Sequence, residues 1–216
     1  MGGTRTITRS IHALLFDLDG TLLDAYQSHY RVYEAVFTGL RLPFDESAYI
    51  QHYSPNWYLF YERLGVPRDR WDEADRLWLQ HYAQETPRER PGASEALRLI
   101  RASHRALGLV TSGDRSRVVH DLERMNWTAL FDVVVCGGDV IERKPHPAAL
   151  HHALEQLEQG ASAVAYLGDT IEDVEMGKAA GVMTIAITGG FSSREALERA
   201  GPDRIIESLE ELADLL

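Results

Sequence analysis

The chain has 216 residues, 44% hydrophobic and 25% charged, with a formal net charge of −11 at pH 7. That length accommodates one good core with a smaller second domain, and the composition excludes the disordered and fibrous classes. The acidic balance argues against nucleic acid as a partner, since affinity there is drawn from phosphate neutralisation by Lys and Arg. No apolar segment follows a basic start, and no apolar run approaches the roughly 18 residues of a membrane span. The expectation is a soluble, cytoplasmic protein with neither nucleic acid nor membrane as partner, in which any anionic substrate must meet a local positive centre.

Along the chain, the apolar run 13–16 reads as the first strand, and it ends in Asp17-Leu18-Asp19-Gly20-Thr21. Residues two apart in a strand point to the same side, so Asp17 and Asp19 either share a face or converge beyond the strand's carboxyl end, where open α/β sheets bind ligands. A solvated Asp-Gly turn is the plain alternative.

Residues 24–88 contain no convincing strand. They carry helical stripes such as Tyr26, Tyr30, Tyr33 and Phe37, and 14 of the 19 aromatic residues. Hinge-like stretches flank them at 23–25 and at the Pro-rich, charged 86–92. The reading is a helical insertion whose aromatics mostly form its own core while a minority line a substrate pocket. Within it, the run 49–58 mixes His52, Asn56 and Trp57 with tyrosines. This run either faces the site or is a joint between helices, and Pro55 implies a helix break there.

The second strand, 107–110, is followed by Thr111, Ser112 and Gly113 leading into a helix. A hydroxyl with free backbone N–H groups at a helix start binds anions, but Thr-Ser-Gly is also an ordinary N-cap, and the cap is the simpler expectation. The third strand, 133–136, ends in Cys136, the only cysteine. A lone cysteine excludes an internal disulfide and a Cys-based zinc cluster, and its apolar setting predicts a buried structural thiol. Next comes Glu142-Arg143-Lys144-Pro145-His146-Pro147. Lys144 is one of only two lysines, beside Lys178, and two prolines stiffen the loop that carries it.

A fourth strand, 164–167, runs into Gly168-Asp169-Thr170-Ile171-Glu172-Asp173. Asp169 and Asp173 are four apart and fall on one side of the junction into a helix. Acids there also favour the helix dipole, and Glu172 and Glu175 are expected to do only that. Strands at 183–187 and 205–206 complete the pattern. Short apolar strands alternating with helices predict an α/β fold with a doubly wound, Rossmann-like parallel sheet.

Carboxylates a few Å apart raise one another's pKa unless a cation intervenes. Oxygen-only donors without histidine or cysteine suit a hard cation such as Mg2+. Four carboxylates, one Mg2+ and one lysine would leave the site near about −1, so a cation is close to obligatory.

Taken in order, these stretches resemble the haloacid dehalogenase superfamily in its phosphatase branch, the branch of phosphoglycolate phosphatases and β-phosphoglucomutases. Its motifs are D-x-D-G-T, here Asp17 to Thr21; a Thr or Ser ending a strand, here Thr111; Lys in K-P-x-P, here Lys144 to Pro147; and G-D-x-x-x-D, here Gly168 to Asp173. The resemblance implies a core of 1–23 and 89–216 with a helical cap domain at 24–88. It implies a Mg2+-dependent hydrolase of a small phosphorylated metabolite, with Asp17 as nucleophile forming an aspartyl-phosphate and Asp19 as general acid and base. Asp17, the main-chain carbonyl of Asp19 and Asp169 would hold Mg2+, with Asp173 as a ligand or in support. Thr111, Lys144 and backbone N–H groups near Ser112 would hold the phosphoryl oxygens. Family members that dehalogenate or cleave phosphonates lack the second aspartate, so Asp19 disfavours both. Sugar phosphomutases of the branch carry a histidine near the cap's start, a place His29 could fill, but they commonly have Asp-Thr where this chain has Asp24-Ala25. A non-catalytic binding protein would have lost a nucleophile or a metal acid, and none is lost.

Overall fold

A computed structural model describes residues 11–215; positions 1–10 and 216 of the expected core lie outside the described residues. Strand β1 (Ala13–Phe16) is followed by a two-residue strand, β2 (Leu23–Asp24), whose antiparallel partner β3 (Arg88–Glu89) comes only after four helices. This ribbon was not foreseen from the sequence. It closes the neck of the helical segment, pairing Leu23 with Glu89 and Asp24 with Arg88.

The helices between are α1 (Tyr26–Leu40), α2 (Glu46–His52), α3 (Trp57–Arg63) and α4 (Trp71–Tyr82). The Tyr26, Tyr30, Tyr33, Phe37 stripe lies on α1, where spacings of three and four place it on one face. Around it Tyr49, Phe60, Tyr61 and Tyr82 pack into an aromatic core separate from that of the sheet. Asp45 and Asn56 cap α2 and α3 with their side chains. The break between those helices falls at Tyr53 to Asn56, where Pro55 lacks the N–H a continuing helix would need.

The remaining strands are β4 (Ala106–Val110), β5 (Val133–Val135), β6 (Val164–Gly168), β7 (Met183–Ile187) and β8 (Arg204–Ile206). With β1 they form one sheet in the order β5-β4-β1-β6-β7-β8, parallel throughout. Alternation along β1 divides its side chains between two layers. Leu14 and Phe16 enter the layer of Leu97 and Ile100 from α5 (Ala93–Ala102) and Val118 and Leu122 from α6 (Arg115–Arg124). Ala13 and Leu15 enter the other, with Leu150 of α7 (Ala148–Gln156) and Met176 of α8 (Ile171–Ala180). Helix α9 (Arg194–Ala200) sets Leu197 against Val174 and Ala186. Each large apolar side chain sealed in these layers contributes about 1.5–3 kcal/mol.

The chain runs outward from β1 to β4 and β5, then crosses back to β6 on the other side. That reversal opens a crevice beyond the carboxyl ends of β1, β4 and β6. Among the described residues no helix is long and apolar enough to cross a membrane. Cys136 is buried, and burial pushes its thiol up to about 11, as a structural cysteine requires.

Candidate active site

The crevice collects the acids. Asp17 continues the β1 edge, its N–H donating to the Leu167 carbonyl at 2.8 Å, and its side chain emerges at the sheet's end. Asp19 also reaches this region, yet the two carboxylates face different partners. Asp17 Oδ1 accepts from Lys144 Nζ at 2.6 Å, whereas both oxygens of Asp19 accept from Arg117, at 2.9 and 2.6 Å. The turn that follows them depends on Gly20. Its φ of +82° is in the left-handed region, and a Cβ there would lie 2.3 Å from Asp169 Oδ2.

Asp169 follows β6, and Asp173 occupies the third position of α8, where it completes a capping box with Thr170. Every oxygen of Asp173 is engaged by the protein. Oδ1 accepts from Lys144 Nζ at 2.7 Å and Tyr166 Oη at 2.8 Å; Oδ2 accepts from Thr170 Oγ1 at 2.6 Å and from the N–H groups of Thr170 and Asp169. Asp173 thus fixes Lys144 and the start of α8. Asp169 is less saturated, accepting from Thr21 Oγ1 at 3.0 Å and the Phe191 N–H at 2.7 Å.

Electrostatics separate these groups. Burial, with Asp173 and Asp19 nearby, pushes Asp17 up to about 7 against the opposing pull of Lys144. Burial and the neighbouring Asp173 and Asp17 also raise Asp169 well above the carboxylate range. Burial opposes charge on Asp19 and Asp173 too, but Arg117 and His29 hold Asp19 well below its ordinary value, and Lys144 lowers Asp173. Lys144 is raised, its two acids outweighing burial. Asp17 and Asp173 therefore share one cation, Lys144, and Asp169 pairs with none. Asp17, Asp169 and Asp173 present oxygens within 4.8 Å of one another, all hard donors, so the cluster fits a divalent cation such as Mg2+. Because Asp173 is saturated, it fits that cation as support and Asp17 and Asp169 fit it as ligands.

Thr111 and Ser112 line the same cavity beside Asp17 and Asp19. The expected N-cap is displaced: Asp114 caps α6, accepting from the N–H groups of Ser116 and Arg117, while Thr111 Oγ1 accepts from the Gly113 N–H at 3.2 Å. Thr111, Ser112 and Asp114 each carry a side chain that could cap a helix, and the loop's path assigns the task to the last. Thr111 and Ser112 are left facing the cavity.

Of the helical segment's candidates, His29 and Trp57 line the cavity, His29 Nε2 lying 3.4 Å from Asp19 Oδ1. His52 and Asn56 do not line it. His52 ends α2 with its carbonyl accepting from Arg63, and Asn56 caps α3. The Asn56 side chain is taken up by its cap, and His52 falls at the helix end away from the lining. Glu172 also departs from a purely local role, accepting from Ser54 Oγ at 2.9 Å across the crevice.

Arg117 escaped the sequence reading. It is buried, ion-paired to Asp19 and to Asp121, and lies over the Tyr82 ring at 4.9 Å. An Arg and an Asp four apart, bordering the Val118 and Leu122 stripe of α6, was the available signal.

The profile of the family described as haloacid dehalogenase-like hydrolase matches residues 14–187. A phosphoglycolate phosphatase of Nitrosococcus oceani is 27% identical, covering 94% of this chain and 95% of its own. A haloacid dehalogenase-like hydrolase of Streptococcus pneumoniae superposes with a TM-score of 0.83 at 23% identity, over 95% of this chain and 98% of that one. CbbY from Rhodobacter sphaeroides, solved with phosphate, gives 0.81 at 23% identity over 94% and 96%. At such identities the structural likeness speaks for the fold alone. The profile match runs from β1 through β7 and takes in all four acid, hydroxyl and lysine motifs, and on it the chain belongs to the haloacid dehalogenase-like hydrolase family.

Proposed function

We propose that this protein is a phosphatase acting on the monophosphate ester of a small metabolite, with Asp17 as nucleophile. One observation carries the reading: the Asp17 carboxylate stands at the crevice floor, paired to Lys144 at 2.6 Å and within ligand distance of Asp169. The Nitrosococcus oceani relative, a phosphoglycolate phosphatase spanning nearly the whole chain, supports it.

In this reading an Asp17 oxygen attacks phosphorus and the bond from phosphorus to the ester oxygen breaks. The leaving alkoxide takes a proton from Asp19, releasing the alcohol and leaving an aspartyl-phosphate. Water then attacks phosphorus, Asp19 takes its proton, and phosphate departs with Asp17 regenerated. Lys144 neutralises the phosphoryl oxygens, held in place by Asp173. Thr111 Oγ1 and the N–H groups beside Ser112 orient those oxygens at the cavity floor. Mg2+ held by Asp17 and Asp169, with the main-chain carbonyl of Asp19, would supply charge neutralisation at the nucleophile and polarisation of the phosphoryl group.

Residues 24–88 serve as the cap, hinged at the β2–β3 ribbon and closing the crevice from above. Asp19 is ionised while paired to Arg117, so to serve as the acid it must leave that pair and take up a proton as substrate binds.

Phosphate release from a broad panel of monophosphate esters, with and without Mg2+, tests this reading with wild type and Asp17→Asn. Mg2+-dependent release that vanishes in the variant is expected, and no release across the panel overturns the reading. Glucose 6-phosphate formed from the 1-phosphate would redirect it to a mutase.

A further inference from the structure

The wall of the cavity opposite Asp17 is aromatic. Tyr33, Tyr53, Trp57, Tyr61 and Trp78 line it, above a floor that includes Asp17 and Thr111. These rings are held in place. Arg143 lies 3.8 Å from the Trp57 ring, Tyr53 stacks on Phe191 at 4.2 Å, and Trp78 stacks on Tyr82 at 4.8 Å. The cavity they line is open at its mouth and has a volume of about 140 Å3.

Charge on the lining has one predominant sign. Asp75 joins the wall, accepting from the Tyr58 and Tyr61 hydroxyls at 3.1 Å each. Among the described residues that line the cavity, Arg117 is the only lysine or arginine, and its guanidinium is engaged by Asp19 and Asp121. Lys144, below the lining, is engaged by Asp17 and Asp173. A carboxylate on the leaving group would meet acids and ring faces, and the one other basic group on the lining, His29, already faces Asp19 at 3.4 Å, so the carboxylate would bear the desolvation cost of a buried charge. A flat uncharged ring would meet pre-set aromatic faces instead.

Resting on the phosphatase reading above, we propose that the leaving group is an alcohol bearing a flat, uncharged ring, as a nucleoside does, and that a short carboxylated ester is a poor substrate. The wall then acts as a stacking platform, and the chemistry at Asp17 is the same for every ester admitted.

The test compares kcat/KM for phosphate release, with Mg2+, from uridine and adenosine 5′-monophosphates, ribose 5-phosphate and phosphoglycolate. All are primary alkyl esters, so they differ in ring and charge and not in the reacting bond. The nucleotides are expected to exceed both others by about tenfold or more, the range of one base stacked on an aromatic side chain. Trp57→Leu and, separately, Trp78→Leu are expected to lower the ratio of nucleotide to ribose 5-phosphate by about threefold or more, a comparison within each variant that is insensitive to loss of folded protein. Ribose 5-phosphate or phosphoglycolate matching the nucleotides in wild type overturns the inference. Calorimetric binding of the same esters to Asp17→Asn distinguishes the two levels: a ring preference in binding without turnover by wild type overturns the phosphatase reading and sustains the ring site, whereas turnover without a ring preference does the reverse.

Discussion

Arg117 holds both oxygens of Asp19 from helix α6, at 2.6 and 2.9 Å, while Tyr82 of α4 accepts its guanidinium over the ring. The pair ties the sheet's first loop to a core helix and to the helical segment. Removing one member of such a buried pair strands the other. Arg117→Met is therefore expected to lose about 3–5 kcal/mol, a fall of roughly 6 to 20 °C in Tm for a chain of this size. Arg117→Met with Asp19→Asn is expected to lose less than the sum of the single changes. Asp19 is lowered by folding, so its contribution is present above the ordinary aspartate pKa and is lost as pH falls below about 4. The Arg117→Met deficit should shrink in that range. Thermal unfolding of the four proteins checks this, and strictly additive losses would refute the coupling.

Asp17 has the opposite sign. Folding raises it to about 7, so between about pH 4 and 7 the native state binds more protons than the unfolded chain. Without a divalent cation, stability should fall as pH rises through that window. Melting curves in EDTA are expected to move to lower temperature from pH 5 to pH 8, and millimolar Mg2+ should restore the loss at pH 8 by taking the place of the proton. An EDTA profile that rises over this range would contradict an acid cluster with one lysine for three carboxylates.

The contrast between these two aspartates marks the limit of what the sequence carries. Most strands of the sheet were legible as short apolar runs, β8 with its Arg204 only weakly so, and Asp17 and Asp169 because each stands just past one of them, while Lys144 showed as a lysine in a proline-stiffened loop after β5. The β2–β3 ribbon was not, since two residues display no period. Nor was the division of Asp17 from Asp19, which rests on Arg117, an arginine distinguished from its neighbour Arg115 only by its angle about α6: Arg115 pairs with Asp139 and Arg117 with Asp19. His29 and His52 show the same limit, since rotation and helix ends decide which imidazole faces the crevice.

Gly20 allows a sharp test of the floor. Its left-handed backbone would cost alanine about 1–2 kcal/mol, and the added methyl would lie 2.3 Å from Asp169 Oδ2. Gly20→Ala is expected to fold, to displace Asp169, and to raise the Mg2+ concentration for half-maximal activity or stabilisation by about tenfold, one 1.4 kcal/mol step in affinity. Titrating Mg2+ against Tm reads this independently of turnover. An unchanged midpoint would remove Asp169 from the cation site.

Two contacts cross the crevice away from the acids. Arg143 packs on Trp57 while its Nη1 donates to the Gly137 carbonyl at 3.1 Å, and Ser54 Oγ donates to Glu172 at 2.9 Å. Both join the chain around Pro55 to the sheet's rim, so both oppose opening of the helical segment. A partly exposed cation–π contact and a neutral-to-charged hydrogen bond are each worth about 0.5–2 kcal/mol. Arg143→Gln combined with Ser54→Ala is expected to speed hydrogen exchange of amides in α3 by roughly 5- to 800-fold, the two losses summed, while amides of β1, sealed between two layers, keep their rates. Equal acceleration in β1 would show global destabilisation instead, and unchanged α3 rates would show that these contacts do not hold the segment closed.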